Sequence, residues 1–153
     1  MAKTGDNSKK ALVSALNGAL ADTFGLYIKT KSFHWHVAGP RFRDLHLLFD
    51  EQAQALFATV DVIAERVRKL DADTLTSLGA MARTSAIKDQ DKTSLDADAM
   101  VAELHRDNTA MHGRLQTLKE LADEAGDNAT SALVDEWIDA AELRMWFLRQ
   151  TMK

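Results

Sequence analysis

Apolar residues recur along this chain at steps of three and four, the period of a helix packed on one face. From Ser8 to His36 the stripe is Leu12, Leu16, Leu20, Phe24 and Tyr27. It predicts a first helix of about 28 residues with Ser8 as its N-cap. Gly39-Pro40 then closes one helix and opens the next, since glycine suits a helix exit and proline a first helical position. The second predicted helix runs from Pro40 to Leu70, with Leu45, Leu48, Leu56, Val60, Ile63 and Val67 on its core face. Arg66, Arg68 and Lys69 complement the dipole at its end. A short helix around Leu75–Met81 and a polar connection from Ile87 to Lys92 follow. Thr93-Ser94-Leu95-Asp96 opens a third long helix in the manner of a capping box. Its stripe is Ala97, Val101, Leu104, Asn108, Met111, Leu115, Leu118, Ala122 and Ala125, with the alternating spacing of bundle packing. Gly126-Asp127 is a stop followed by a new cap. Val134, Ile138, Ala141, Met145, Leu148 and Met152 carry the fourth helix, flanked by Trp137, Trp146 and Phe147.

These elements predict an all-α, ferritin-like four-helix bundle over residues 9–153, with a short extra helix between the second and third long ones. The long link there is able to cross the length of the bundle, unlike the tight turns elsewhere. Residues 1–8 are polar and are expected to form a flexible arm. Lys3, with Lys9 and Lys10, would let that end touch nucleic-acid phosphates.

Composition narrows the chemistry. A chain of 153 residues, 46% hydrophobic and 27% charged, fits one globular domain rather than a disordered chain. One proline and seven glycines are too few for a turn-rich β fold. There is no cysteine, which excludes disulfides and thiolate metal sites. Any metal must be held by histidine and carboxylate, a donor set suited to iron, manganese or zinc. The net charge of −4 offers no global attraction to nucleic acid. There is no apolar run of the length that spans a bilayer and no apolar core at the N-terminus. The expected location is the cytoplasm, with no membrane partner.

The second helix carries an unusual face. Taking His46 as zero, Asp50 lies about 40° round, Asp61 about 60° and Glu65 about 100°. His46/Asp50 and Asp61/Glu65 are two i,i+4 pairs, yet they sit about 22 Å apart along the axis, too far for one ion to touch both. A second copy, antiparallel across a two-fold axis near Leu56, would lay one pair against the other and make two identical sites. His34, just before the Gly39-Pro40 turn, would fall near His46 and Asp50. An intrasubunit di-iron bundle site uses Glu-x-x-His on two helices, and that motif occurs nowhere in the chain. The plainer alternative is an ion-pair seam between subunits.

Trp35 reads either as core filler or as an electron donor beside an oxidising metal. His36 stands about 200° from His34 and cannot share its ion. His105 and His112 lack a carboxylate that would complete a site and read as structural. Asp123, Asp127 and Asp135 read either as solvated charges or as a ring drawing cations through a pore.

The segments Lys31-Ser32-Phe33-His34-Trp35-His36-Val37-Ala38-Gly39-Pro40-Arg41-Phe42, Leu45-His46, Phe49-Asp50 and Asp61-Val62-Ile63-Ala64-Glu65-Arg66 resemble the signature of the Dps family, the mini-ferritins. The resemblance covers nearly the whole chain. It implies a homo-dodecameric shell built from two-fold dimers. Ferroxidase centres would be formed by His34, His46 and Asp50 of one subunit with Asp61 and Glu65 of its mate. It further implies Fe(II) as substrate, hydrogen peroxide as preferred oxidant, ferric mineral storage and protection of DNA from oxidative damage. Many members also coat DNA through a lysine-bearing tail, which makes a nucleoid-compacting protein the alternative reading. The chain departs from the family pattern at His36, where Asn is usual, and at Asp71-Ala72, where Gly-Gly is common. Asn128 and Ala132 also stand where some relatives carry pore aspartates.

Overall fold

The computed structural model describes residues 4–153. Five helices follow in order: α1 Thr4–His36, α2 Phe42–Lys69, α3 Leu78–Thr84, α4 Ala97–Glu124 and α5 Asn128–Thr151. No strand occurs among the described residues. The bundle and the short helix in the α2–α4 link are those the periodicity predicts.

The ends differ in instructive ways. Helix α1 begins four residues before Ser8, so residues 4–8, expected in an arm, are helical. Lys3 lies outside the described residues. Pro40 belongs to the turn, and α2 starts at Phe42 with Arg41 in the cap position. The short helix lies three residues later than expected, because Ser77 caps it by accepting from the Ala80 N–H. In α4 the cap is Asp96, which accepts from Ala99 N at 2.8 Å, and not the earlier Thr93. Gly126 closes α4 at φ 68°, a left-handed position where a Cβ would be strained.

Ion pairs and ring contacts set the helix directions. Tyr27 meets Phe57 and His34 meets His46, so α1 and α2 are antiparallel. Lys29 meets Asp107 while Arg114 meets Asp22, which makes α4 antiparallel to α1. His112–Glu142 and Lys119–Asp135 do the same for α4 and α5. Thus α2 and α4 run the same way, and the link must return along the bundle. It does so on α1. Asn17 donates to Asp73 O at 3.1 Å, and Asp22 accepts from Ala86 N at 2.7 Å. Gly25 lets the link pass closely, since a Cβ there would lie 3.0 Å from Ser85 Oγ.

Leu12, Leu16, Leu20, Leu45, Leu56, Ile63, Leu104, Leu115 and Leu148 fill the core as the stripes predict. In α1, however, Leu26 and Phe33 are buried while Phe24 and Tyr27 are only half-buried. In α5, Trp137 joins the core while Trp146 and Phe147 stay exposed. Helix α1 is long and apolar enough, by length and composition alone, to cross a membrane. Its leucine stripe is spent on the bundle, and its buried Asp22 and Lys29 are both paired to α4.

Candidate metal centre

The tight α1–α2 return brings the last turn of α1 against the first turns of α2. His34 and His46 stack there with ring centroids 3.8 Å apart and planes 18° from parallel. His34 Nδ1 donates to the His46 carbonyl at 2.7 Å, and His46 Nδ1 donates to the His34 carbonyl at 2.8 Å. A carbonyl only accepts, so each Nδ1 carries a proton. In the neutral rings both Nε2 atoms therefore keep a lone pair for a metal, with the tautomer fixed by the partner's backbone. The Phe42 ring, centred 5.0 Å from His46, covers this end.

Asp50 lies one turn along α2, with Oδ1 4.0 Å from His34 Nε2. Lys31 donates to that same Oδ1, and Gln54 Nε2 donates to Oδ2 at 2.8 Å. The Lys31 ammonium holds the Asp50 carboxyl below its ordinary value against the opposing effect of burial, and Gln54 adds a small further lowering. The chain thus stacks two imidazoles and sets one ionised carboxylate beside His34, with a cation resting on the carboxylate. The sequence reading missed Lys31. Its position one helical turn before His34, on the same face, is the signal that would have found it.

Asp61 and Glu65 lie farther along α2 and are both exposed. Neither has a hydrogen bond or ion pair among the described residues. Arg66, the nearest cation in sequence, points elsewhere and holds Asp127. Among the described residues, no three His, Asp or Glu side chains of one chain form a set able to hold an ion. Along the same stripe, about 20° from His46, stands Phe57, midway between the two pairs and exposed. Leu56 itself faces the core.

Trp35 is 62% exposed in the chain, which rules out the core-filler reading within one subunit. His36 is exposed and donates from Nδ1 to Ser32 O at 2.8 Å, away from His34. His112 Nε2 pairs with Glu142 at 2.9 Å, the structural role expected of it. Of the three acidic pore candidates, Asp127 is committed to structure. It caps α5 through Thr130 N and receives Arg66 Nη2 at 3.0 Å. Burial pushes its carboxyl up, but the bonds from Thr130 and Arg66 outweigh that and hold it below its ordinary value. Asp123 accepts from Ser131 Oγ at 2.6 Å, and Asp135 pairs with Lys119 at 2.8 Å. Both remain exposed.

The family described as "Ferritin-like domain" matches residues 13–153. The "DNA protection during starvation protein" of Brevibacillus brevis is 32% identical over 133 residues, covering 87% of this chain and 89% of that protein. The X-ray structure of Dps from Thermosynechococcus elongatus matches with a TM-score of 0.95 at 27% identity, covering 99% of this chain and 96% of that one. A Dps protein from Vibrio cholerae O1, described as a member of a broad superfamily of ferritin-like diiron-carboxylate proteins, matches with a TM-score of 0.90. It is 30% identical and covers 96% of this chain and 92% of its own. Fold, sequence and the His34–His46 constellation converge, and the chain belongs to the ferritin-like domain family, among the Dps proteins.

Proposed function

We propose that this protein is a ferroxidase and iron-storage shell in the cytoplasm, which removes Fe(II) and hydrogen peroxide and so protects DNA. The observation that carries the reading is the split of one ligand set along α2. His34 stacks on His46 and lies 4.0 Å from Asp50 at one end, and the carboxylates of Asp61 and Glu65 stand unpaired among the described residues at the other. A second copy of the chain, antiparallel across the stripe, joins the two halves. Exposed Phe57, Ile28 and Trp35 supply apolar surface for that contact.

The chemistry follows from the donor set. Neutral imidazole nitrogens hold Fe(II), while the hard carboxylates of Asp50 and of the partner's Asp61 and Glu65 favour Fe(III) and lower the potential. Two Fe(II) ions each give up one electron. Peroxide takes both, its O–O bond breaks, and water supplies the remaining oxygen of the ferric oxyhydroxide with release of protons. Lys31 supplies the positive charge beside Asp50 until iron arrives. Trp35, next to His34 in sequence, would donate an electron if an oxidising equivalent is left over. Twelve subunits closing around a cavity would give the mineral its place, and Asp123 and Asp135 are the acidic groups open to a cation path.

The test is Fe(II) oxidation by hydrogen peroxide, followed by ferric absorbance. Asp61→Ala with Glu65→Ala lowers the rate at least about tenfold if these are ligands. An unchanged rate with unchanged assembly rejects the reading. The DNA-compacting alternative draws on Lys9 and Lys10, which sit on α1 with Lys10 paired to Asp6 at 3.3 Å. Retention of DNA at low salt, lost at moderate salt, is the result that would support it.

A further inference from the structure

Hydrogen peroxide takes two electrons, and a site that holds a single Fe(II) supplies one. Lys31 on Asp50 favours such singly loaded sites, since it engages one of the three carboxylates. Peroxide cut by one electron leaves a hydroxyl radical unless a side chain gives the second. Indole and phenol are the side chains suited to this. Of the three tryptophans, Trp137 and Trp146 lie on α5, which contributes no residue to the site. Trp35 lies on α1 beside His34 in sequence. Tyr27, also on α1, is the only tyrosine of the chain.

Tyr27 stands seven residues before His34. Seven residues of helix return to within about 20° of the same face and advance about 10 Å. The phenol thus lies on the His34 stripe of α1, one electron-tunnelling step from the imidazole. Its ring meets Phe57 of α2 with centroids 5.0 Å apart and Phe24 at 6.2 Å, which holds it on the α1–α2 seam. Phe57 marks the level midway between the two pairs of candidate ligands on α2. In the proposed dimer Tyr27 would therefore stand between the two sites. The ring is half-buried, and its hydroxyl bonds to no described residue, which leaves the phenol proton free to pass to solvent.

We propose that Tyr27 is the electron donor that completes peroxide reduction when a site holds one Fe(II), and that it carries the resulting radical. The proposal rests on the ferroxidase reading. One electron leaves the iron and one leaves the phenol. Fe(II), hydrogen peroxide, the tyrosine and one proton give Fe(III), a neutral tyrosyl radical and two waters. The O–O bond breaks, and the phenol proton ends in one of those waters. An electron taken first from Trp35 is replaced from Tyr27, because a phenol that sheds its proton is oxidised more easily than an indole.

Intact protein loaded anaerobically with one Fe(II) per chain, mixed with hydrogen peroxide and quickly frozen, tests this by electron paramagnetic resonance. The expected result is a tyrosyl signal that appears with ferric iron. It narrows in protein made with ring-deuterated tyrosine and is lost in Tyr27→Phe, which keeps the ring contacts. Ferric absorbance that forms without a tyrosyl signal overturns the proposal and leaves the ferroxidase reading standing. So does a signal that deuteration leaves unaltered or that persists in Tyr27→Phe. Failure of peroxide to oxidise Fe(II) at all overturns the ferroxidase reading and this proposal with it. Should the variant fail to fold, the deuterated wild type decides alone, since the chain has no second tyrosine.

Discussion

At the scale of single residues, the reciprocal bonds between His34 and His46 set the ligand chemistry before an ion arrives. Each imidazole orients the other through a backbone carbonyl, which leaves both Nε2 atoms for metal. Lys31 works against this by holding Asp50. If Asp50 is a ligand as proposed, Fe(II) would have to take that carboxylate from the ammonium. Lys31→Gln therefore tightens Fe(II) binding, by about 1 kcal/mol or roughly fivefold in Kd for a partly exposed pair. Anaerobic titration calorimetry measures it. The same variant raises the Asp50 titration towards the ordinary 3.8, since its first cause of depression is gone. The His46, Asp50, Asp61 and Glu65 candidates came from their shared face on one helix, and the stacking of His34 on His46 followed from the tight turn between the two helices. Lys31, Lys29 and Asp22 were not legible, because burial of a charged side chain depends on which partner another helix brings. A stripe of leucines does not say that Lys29 will find Glu103 at 3.0 Å and Asp107 at 2.7 Å.

At the scale of elements, the helix ends carry the predictions. Asp127 caps α5 and receives Arg66 from α2, so it ties three segments together. Its carboxyl lies below its ordinary value in the folded chain. Its stabilisation is thus complete above the unfolded pKa and is lost as pH falls through the folded one. Asp127→Asn, which can still cap, costs about 2 kcal/mol near neutrality and flattens the acid limb below about pH 4. Urea unfolding across pH shows both effects. Asp71, just past the end of α2, is in a left-handed conformation, φ 57°, which favours glycine. Asp71→Gly relieves that strain and raises stability by about 0.5 kcal/mol, read as a higher denaturation midpoint. Helix number and order were readable from period alone. The exact ends were not: Asp96 and Ser77 won the caps because their side chains reach the free N–H groups two or three residues on, while Thr93 did not.

At the scale of the whole molecule, the proposed site is divided, so that one chain would hold two halves and close neither. The stripe on α2 runs from His46 and Asp50 through exposed Phe57 to Asp61 and Glu65, and in the proposed function a two-fold mate would bring its ends together. That proposal starts from spacing, since 15 residues of helix separate the pairs by about 22 Å. Met152, expected in the packed stripe, is exposed at the end of α5, and Trp146 and Phe147, expected to flank it, are exposed together with Leu143 on the outer side of that helix. Their exposure means that one chain leaves a second apolar surface uncovered, and periodicity alone does not separate such a surface from a core. The most direct test of the split site is complementation. His46→Ala and the Asp61→Ala/Glu65→Ala double variant are each inactive as pure proteins in this account. Unfolded, mixed in equal amounts and reassembled, half the dimers are mixed, and each mixed dimer regains one of its two sites. The account predicts recovery of about a quarter of wild-type peroxide-driven Fe(II) oxidation. A mixture that assembles fully and stays as inactive as its parents would contradict it.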